Sequence, residues 1–470
     1  MKKLSAVVLI LFMSVRPAAQ KLDITKKIEE AYQKFVSDSQ LVHAISSLYV
    51  VDATTNQVVF DNNSQIGLAP ASTQKIITAV TAFELLGKNY QYKTEFGFSG
   101  AIKNRLLRSN IIITGSGDPT FGSWRWEFTK EDVVIKKLMN IIRKLKIKSV
   151  NAIEVDQLYW ETNMIPDGWI WQDIGNYYGA GANKFNWREN QFDVILKSGK
   201  KVGDPVAITG YNPKLYSYSL NSQLTSAPKG TGDNAYIYFP FNSTGTIRGT
   251  IPVEENHFVI SGAIPSPSKQ FVLTLEDSLK KNKISSQHEF FEVNGQNSRV
   301  TVDRKRIIPV YTHYSPILDS IIFWFNRRSI NLYGEALVRT IAFEKQGLGR
   351  TDSGVAIVKN FWKQKGLDAD ELNIYDGSGL SPLNRVTTHA QVEILKYAKK
   401  QPWFTSFYES LPVINGIKMK SGTISDVKGF TGYYTARDRN EYIFAFLVNN
   451  YTGSSSELVQ KMYRVLDVLK

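Results

Sequence analysis

Apolar and polar positions along this chain recur in two rhythms, one typical of helices and one typical of strands. From Asp23 to Phe35 an apolar residue recurs every three or four positions, which predicts an amphipathic helix. The runs Leu48–Asp52 and Val58–Asp61 flank a polar turn and predict a hairpin. The mostly apolar run Ile76–Phe83 predicts a buried helix that ends near Gly87, since glycine is a common helix cap.

The carboxyl end of the chain shows the same two rhythms. Its pattern predicts two helices, three strands and a closing helix, in the order Pro316–Phe325, Leu332–Phe343, Ile417–Ile424, Gly429–Tyr434, Tyr442–Val448 and Glu457–Leu469. Both ends therefore supply strands and helices to what should be one domain of the α+β class, formed by residues 20–92 together with residues 301–470.

The interval between these two parts has a different pattern. Short β-like runs separated by turn residues dominate residues 93–300, for example Ile111–Thr114, Val206–Gly210, Tyr236–Phe241 and Phe258–Ser261. This pattern predicts a β-rich insertion, divided into two sub-domains, within a discontinuous catalytic domain.

Composition narrows the class of protein. A chain of 470 residues has room for about two or three domains. It contains no cysteine, which excludes disulfides, thiolate chemistry and a lipid anchor on cysteine. The five histidines are scattered without the spacing of metal ligands, which argues against a zinc hydrolase and against a Ser-His-Asp triad. The sequence therefore predicts neither a metal nor a cofactor.

Residues 1–19 have the pattern of a signal peptide for export, with two lysines, an apolar stretch and the sequence Arg16-Pro-Ala-Ala. The apolar stretch is too short for a membrane span, and no later segment is long and apolar enough. We expect an exported, soluble mature protein in the periplasm or cell envelope. Without Lys2, Lys3 and Arg16 the formal charge falls from +14 to +11. A basic surface would favour an anionic envelope polymer, and it is equally consistent with a role in solubility or with a general basic bias of composition. Export argues against nucleic acid as a partner.

Three short motifs carry candidate chemistry, in the order Ser72-Thr-Gln-Lys75, Ser329-Ile-Asn331 and Lys420-Ser-Gly-Thr423. Residues three apart on a helix lie on one face, so Lys75 can reach the hydroxyl of Ser72. A serine hydroxyl is a weak nucleophile until a base takes its proton, and a partly desolvated lysine can be that base. Ser329 and Asn331, two apart in an extended segment, would point the same way.

Context separates these motifs from chance repeats of the same letters. The Ser-x-x-Lys spacing recurs elsewhere in the chain, but only Ser72 begins a long apolar helix. The letters Lys-Ser-Gly recur at Lys197, but only Lys420 lies on a predicted strand that is followed by a hairpin. Gly422 within that strand lets the backbone approach a ligand closely.

With these motifs the chain resembles the penicillin-recognising serine hydrolases, and within them the low-molecular-mass penicillin-binding proteins, D-alanyl-D-alanine carboxypeptidases and endopeptidases with inserted domains. Further segments carry the resemblance: Gly115–Thr120, Gly168–Asp173, Tyr177–Ala180, Asp376–Ser381, Asn384-Arg385 and Leu411-Pro412. The resemblance implies a transpeptidase-like antiparallel sheet flanked by helices. It also implies a peptidoglycan stem peptide ending in D-alanyl-D-alanine as substrate, and acylation by β-lactam antibiotics.

The resemblance implies a role for each motif residue. Ser72 resembles the nucleophile that attacks the penultimate D-alanine carbonyl, and Lys75 resembles its general base. Ser329 resembles a proton relay to the leaving group, and Asn331 resembles a contact for the substrate amide. Lys420 resembles the cation that attracts the terminal carboxylate.

Substrate-binding roles follow from the same resemblance. Ser421, Gly422 and Thr423 accompany Lys420, and the backbone N–H groups of Ser72 and Thr423 would form an oxyanion hole. The third motif reads Lys-Ser-Gly where the family usually has Lys-Thr-Gly. Serine in place of threonine keeps the hydroxyl group.

Two positions bear on substrate selection. Asp173 is a candidate contact for an amino group on the side chain of the stem peptide. Pro382 stands where relatives often carry an arginine that recognises the substrate side chain, and Arg385 is the candidate to replace it.

Two other functions stay open at this point. A secreted β-lactamase shares the three motifs, but this chain is long for that class and lacks a convincing Glu-bearing loop to activate a deacylating water. A non-catalytic envelope-binding protein could keep the fold, but every motif residue with a chemical role is present here. The pattern does not distinguish removal of terminal D-alanine from cleavage of cross-links.

Overall fold

The computed structural model describes residues 24–98, 102–103, 106–107, 110–239, 243–286, 291–293 and 307–470. The predicted signal peptide, residues 1–19, lies outside this described part. Among the helices of the described part, none is long and apolar enough to cross a membrane.

Helices occur in both halves of the chain. In chain order they are α1 (residues 24–36), α2 (Lys75–Leu85), α3 (Glu131–Lys144), α4 (Trp171–Ile174), α5 (Pro267–Lys281), α6 (Leu318–Arg328), α7 (Asn331–Gln346), α8 (Thr351–Gln364), α9 (Thr388–Lys399), α10 (Phe404–Ser410) and α11 (Ser455–Leu466).

Strands cluster near the two ends of the chain and in its middle. In chain order they are β1 (Ile45–Asp52), β2 (Val58–Asn62), β3 (Lys93–Phe98), β4 (Ile102–Lys103), β5 (Leu106–Leu107), β6 (Ile111–Thr114), β7 (Ser149–Val150), β8 (Ile153–Asp156), β9 (Gln191–Lys197), β10 (Ala207–Asn212), β11 (Ser219–Ala227), β12 (Asn234–Tyr238), β13 (Thr244–Pro252), β14 (Phe258–Ala263), β15 (Ser285–Ser286), β16 (Phe291–Val293), β17 (Ile308–Tyr314), β18 (Leu372–Asn373), β19 (Arg385–Val386), β20 (Val413–Ile414), β21 (Ile417–Ile424), β22 (Val427–Thr435) and β23 (Glu441–Asn449).

A six-stranded antiparallel sheet joins the two ends of the chain, in the order β2-β1-β23-β22-β21-β20. Side chains alternate across β1: Tyr49 and Val51 pack with α2, α6, α7, α8 and α9 on one face, while Leu48 and Val50 pack with α1 and α11 on the other. This arrangement confirms the predicted α+β fold, an antiparallel sheet flanked by helices.

Two further cores lie between the two ends. In the first, α3 and α5 pack on the five-stranded sheet β16-β8-β6-β3-β17. In the second, the three-stranded sheets β10-β9-β14 and β11-β13-β12 pack together. β17 follows residue 300 and pairs antiparallel with β3, so the first of these sheets draws on chain beyond the predicted insertion.

A buried ion pair connects this middle part of the chain to the helices behind the six-stranded sheet. The carboxylate of Glu189 accepts from Arg125 Nε over 2.8 Å and from Arg125 Nη2 over 3.0 Å. The same carboxylate accepts from the hydroxyls of Ser123 and Tyr333, each over 2.7 Å. Because Tyr333 lies on α7, its hydrogen bond to Glu189 joins the middle part of the chain to a helix behind the six-stranded sheet.

Candidate active site

The first motif forms a turn that leads directly into a buried helix. Ser72 lies in the 3₁₀ turn Ala71–Gln74, and Lys75 is the first residue of α2. The Lys75 Nζ lies 2.9 Å from Ser72 Oγ, as the helical spacing predicts. It also donates to Asn331 Oδ1 over 2.6 Å and to the Ser378 carbonyl over 2.7 Å. The amine is therefore held against the serine hydroxyl by two further contacts.

The charge of Lys75 is disfavoured by its surroundings. Its side chain is fully buried, and this burial lowers its pKa from 10.5 to about 7, against the attraction of the Asp376 and Glu335 carboxyl groups. A lysine with this pKa is partly neutral at neutral pH, and its free electron pair can then accept the Ser72 proton.

The third motif lies on β21, which passes beside the Ser72 turn. A Cβ added to Gly422 would lie 2.6 Å from the Pro70 carbonyl oxygen and 3.0 Å from the Ser72 backbone nitrogen, so this close approach requires glycine. Lys420, two residues earlier, is buried and donates to the Ser421 carbonyl over 2.7 Å. Burial and the nearby charge of Lys75 lower the pKa of Lys420 well below its usual value.

The second motif has a different backbone from the predicted one. Ser329 has a left-handed conformation, with φ of 56°, between α6 and α7, and Asn331 is the first residue of α7. The predicted extended segment is therefore wrong, because a left-handed turn is needed to connect the two helices here. Asn331 Nδ2 donates to the Tyr178 carbonyl over 2.7 Å, so both ends of its amide are fixed.

A cavity of about 350 Å³ lies over these motifs. It brings together residues of all three motifs, namely Ser72, Ser329, Asn331 and Thr423. The rest of its wall is formed mainly by Ile170, Gln172, Asp173, Tyr177, Tyr178, Tyr236, Leu380, Pro382, Ile424 and Ser425.

The remaining predicted site residues differ in their relation to this cavity. Asp173 lines it, and burial raises the pKa of its carboxyl group, against a hydrogen bond from Tyr178. Ser421 and Arg385 are not among the lining residues. The Arg385 guanidinium donates to the carbonyl of Pro382 over 2.6 Å and to that of Asn384 over 2.8 Å.

Two buried carboxyl groups support the site from behind. Asp376 Oδ2 accepts from Trp169 Nε1 over 2.9 Å, and Asp376 Oδ1 accepts from the Gly379 N–H over 2.8 Å. Glu335 Oε2 accepts from the Gly377 N–H over 3.1 Å, and burial together with the Asp376 charge raises the pKa of Glu335 to about 8. These contacts hold the 376–381 loop, whose Ser378 carbonyl contacts Lys75.

Glu335 belongs to none of the motifs that predict the site. The available signal was an acidic residue within an apolar helical pattern, four positions after Asn331. Such a residue is rarely buried without a partner, so its position behind a motif residue could have indicated a place in the site.

Comparisons with known proteins agree with this geometry. Residues 28–417 match the D-Ala-D-Ala carboxypeptidase 3 (S13) family. The chain is 24% identical over 465 residues to a D-alanyl-D-alanine carboxypeptidase of Actinomadura sp., covering 92% of this chain and 83% of that protein. It is 22% identical over 430 residues to the D-alanyl-D-alanine carboxypeptidase DacB of Haemophilus influenzae, covering 86% of this chain and 85% of that protein.

A solved structure shares the fold. The crystal structure of penicillin binding protein 4 from Haemophilus influenzae superposes with a TM-score of 0.78 at 20% identity, covering 94% of this chain and 98% of that chain. The same protein in complex with a β-lactam superposes with a TM-score of 0.74 at 20% identity, covering 94% of this chain and 99% of that one. At this identity the likeness concerns the arrangement of the chain alone.

Proposed function

This chain belongs to the D-Ala-D-Ala carboxypeptidase 3 (S13) family, and we propose that its peptidase reaction takes place in the cavity over Ser72. The protein is a serine-type D-alanyl-D-alanine carboxypeptidase and a low-molecular-mass penicillin-binding protein. One observation carries the assignment of the site: the buried Lys75 amine contacts the Ser72 hydroxyl over 2.9 Å at the edge of that cavity.

The first chemical step is attack by Ser72. Neutral Lys75 takes the hydroxyl proton, and Ser72 Oγ attacks the carbonyl carbon of the penultimate D-alanine. The backbone N–H groups of Ser72 and Thr423 donate to the oxygen that becomes negative, a role whose loss typically costs roughly 10²–10³ in rate for one donor. The close approach of β21 at Gly422 supports this pairing of the two N–H groups.

The second step is departure of the terminal D-alanine. Its nitrogen must receive a proton, and we assign the Ser329 hydroxyl to relay it from the Lys75 ammonium. Lys420, with the hydroxyls of Ser421 and Thr423, holds the terminal carboxylate, whose negative charge favours the protonated form of Lys420. Asn331 contacts the substrate amide and keeps the Lys75 amine in place. Water then releases the acyl group from Ser72.

A β-lactam stops this cycle at the acyl-enzyme stage. The strained amide is opened by Ser72, but the leaving nitrogen stays attached to the acyl group and blocks the approach of water. Membership of a carboxypeptidase family does not favour the two alternatives, a secreted β-lactamase and a non-catalytic envelope-binding protein.

Substrate selection forms the finer part of the proposal. We assign Asp173 to contact an amino group on the side chain of the stem peptide, since it borders the cavity and can accept hydrogen bonds. Pro382 brings no positive charge to the cavity wall, and the Arg385 guanidinium is engaged by carbonyl groups. We therefore expect stem peptides with a free or an amidated side-chain carboxylate to be accepted similarly. A preference of tens-fold or more for the free carboxylate (roughly 2 kcal/mol) would instead assign its recognition to Arg385.

We further propose that the same site cuts peptidoglycan cross-links and that residues 1–19 direct export to the cell envelope. The first proposal is tested by incubating the enzyme with a purified cross-linked muropeptide dimer, where absence of monomer would contradict it. The second is tested by sequencing the amino terminus of protein from the envelope fraction, where an intact residue 1 would contradict it.

Incubation with a labelled penicillin tests the assignment of the site. We expect a stable one-to-one adduct that mass spectrometry locates on Ser72, and Ser72→Ala should remove both the adduct and D-alanine release while the protein stays folded. Rapid turnover of the antibiotic would support a β-lactamase, absence of reaction would support a binding protein, and an adduct on another serine would overturn the assignment.

A further inference from the structure

The wall of the cavity continues into an exposed aromatic surface. Ile170 and Gln172 line the cavity, whereas Trp171 between them does not line it and is 50% exposed. The Trp171 ring lies against Tyr238, with 6.2 Å between the ring centres and an angle of 31° between the planes. We refer to Trp171, Tyr238 and Arg248 as the aromatic platform.

Strand β12 connects the aromatic platform to the cavity. Tyr236 lines the cavity, and Tyr238 lies two positions further on the same face of the strand, because Ile237 between them points into the core of the two small sheets. The two tyrosines therefore form one continuous surface from the cavity to its outer rim.

Arg248 adds a positive charge to this surface. It is the cross-strand partner of Tyr236 on β13, and its guanidinium lies 5.7 Å from the centre of the Tyr238 ring. Its Nε donates to Gln223 Oε1 over 2.9 Å, which fixes the plane of the guanidinium while the side chain stays exposed. A fixed, exposed guanidinium beside two rings can donate to oxygen atoms of a ligand that lies on those rings.

The exposed aromatic rings at the rim of the cavity indicate a binding surface. Ile170 is 40% exposed, Tyr177 is 53% exposed and Tyr238 is half-buried, so four large apolar side chains, counting Trp171, surround the same rim. Contiguous apolar groups at the edge of a cleft usually mark a binding surface. Aromatic rings next to an arginine suit a molecule with one apolar face and a polar edge, which describes the ring of a pyranose sugar.

We propose that the aromatic platform binds the glycan strand of peptidoglycan, with the C–H face of a hexosamine ring on Trp171 and Tyr238 and its oxygen atoms accepting from Arg248. This rests on the proposed function and deepens it, because a stem peptide bound in the cavity is covalently attached to a sugar of that strand. A surface continuous with the cavity is where that sugar meets the protein.

Paired substrates test this inference. One is a free stem peptide ending in D-alanyl-D-alanine, and the other is the same peptide attached to its disaccharide. We expect the native enzyme to have the higher kcat/KM for the disaccharide form, and Trp171→Ala to reduce this advantage about tenfold, mainly through KM. Trp124→Ala is the matched control, since Trp124 is a 40% exposed tryptophan that does not line the cavity, and it should keep the advantage.

The same data separate failure of this inference from failure of the proposed function. No D-alanine release from either substrate by the native enzyme would contradict the proposed function. Release from both, with an advantage that Trp171→Ala leaves intact, would overturn the glycan site alone. If Trp171→Ala fails to fold by circular dichroism, Arg248→Ala supplies the same comparison, because its side chain is exposed.

A binding assay then identifies the class of ligand. Purified glycan strands stripped of peptide and immobilised on a resin should retain the native protein, and Trp171→Ala should reduce the retained amount several-fold more than Trp124→Ala. Retention on phospholipid vesicles that depends on Trp171, with none on the glycan, would assign the aromatic platform to a membrane surface and overturn the proposal.

Discussion

A lysine acts as a base only where its charge is disfavoured, and two opposing influences set this balance at Lys75. Burial lowers its pKa, while the Asp376 and Glu335 carboxyl groups raise it, and the outcome is a pKa of about 7. Burial raises the pKa of Glu335 to about 8, so most of its negative charge is absent at neutral pH. The weakened attraction helps keep Lys75 available as a neutral amine.

The rate of acylation by a penicillin should therefore rise with pH, with a midpoint near 7. Below its pKa of about 7 Lys75 is protonated and cannot accept the Ser72 proton, so the rate falls as the pH falls. Measuring the second-order rate constant of acylation from about pH 5 to about pH 9 checks this. A rate that climbs only towards the ordinary lysine value of 10.5 would contradict it.

The two Lys-Ser-Gly sequences allow a matched comparison of single residues. Lys420→Ala should slow acylation roughly 10²-fold, since it removes a buried amine near Lys75 and the proposed partner of the terminal carboxylate. Lys197→Ala should leave the rate close to that of the native protein, because Lys197 is exposed at the end of β9. Similar losses in the two variants would rule out a special role for Lys420.

At the scale of single residues, the sequence could predict those contacts that depend on the spacing of residues close together in the chain. The contact between Ser72 and Lys75 follows from three residues of helical geometry, and it is present. The contacts of Asp376 and Glu335 depend on segments that are distant in the chain, so no local pattern contains them. The left-handed backbone of Ser329 is also invisible in a motif that specifies only residue types.

The packing of β21 against the turn before α2 sets the geometry of the site. Gly422→Ala should slow acylation at least about tenfold, since a methyl group 3.0 Å from the Ser72 nitrogen must push the strand and the nucleophile apart, and small displacements in active sites are costly. Acylation kinetics with circular dichroism measure this effect.

Gly210→Ala is the control for this substitution. Gly210 also lies in a strand, β10, but a Cβ there would lie 3.5 Å from Ile195 Cδ1, an ordinary contact. Its acylation rate should equal that of the native protein. If Gly422→Ala acylates equally fast, the close approach of β21 has no influence on the reaction.

Helices and strands with a clear apolar pattern could be predicted from the sequence. Helices that lie among short strand-like runs could not. The strand predicted at Ile417–Ile424 has those bounds in the structure. The pattern does not predict α3, which lies within a stretch dominated by β-like runs. Its buried residues are Val134, Leu138, Met139 and Ile142. The helical spacing of apolar residues is present in α3, but the strand-like runs on both sides of it dominate the pattern of this part of the chain.

At the scale of the whole molecule, the ion pair of Glu189 and Arg125 connects the middle of the chain to α7. We propose that residues 93–300 form the insertion and that residues 20–92 with 301–470 form the catalytic domain. Under this division the contact of Glu189 with Tyr333 crosses between them.

Glu189→Gln should lower the free energy of unfolding by roughly 3 kcal/mol, because it leaves the buried Arg125 guanidinium without its counter-charge. Urea unfolding followed by tryptophan fluorescence measures the loss. Glu127→Gln is the control, since its ion pair with Lys130 is largely exposed and should contribute little to stability. Equal losses would mean that Glu189 does not link the two parts.

Because β1 pairs with β23, the six-stranded sheet can form only late in synthesis of the chain, and activity should appear only after that. Synthesis produces Ser72 and Lys75 early, and β2 follows β1 directly, but Ile45 of β1 pairs with Asn449 of β23. The second neighbour of β1 is therefore absent until nearly the whole remaining chain has been made. Lys420 and Gly422 arrive at the same late stage. A growing chain therefore carries Ser72, the proposed nucleophile, for most of its synthesis without the strand that would complete the proposed oxyanion hole. We expect the nascent polypeptide to be inert towards peptides and antibiotics until it is almost finished.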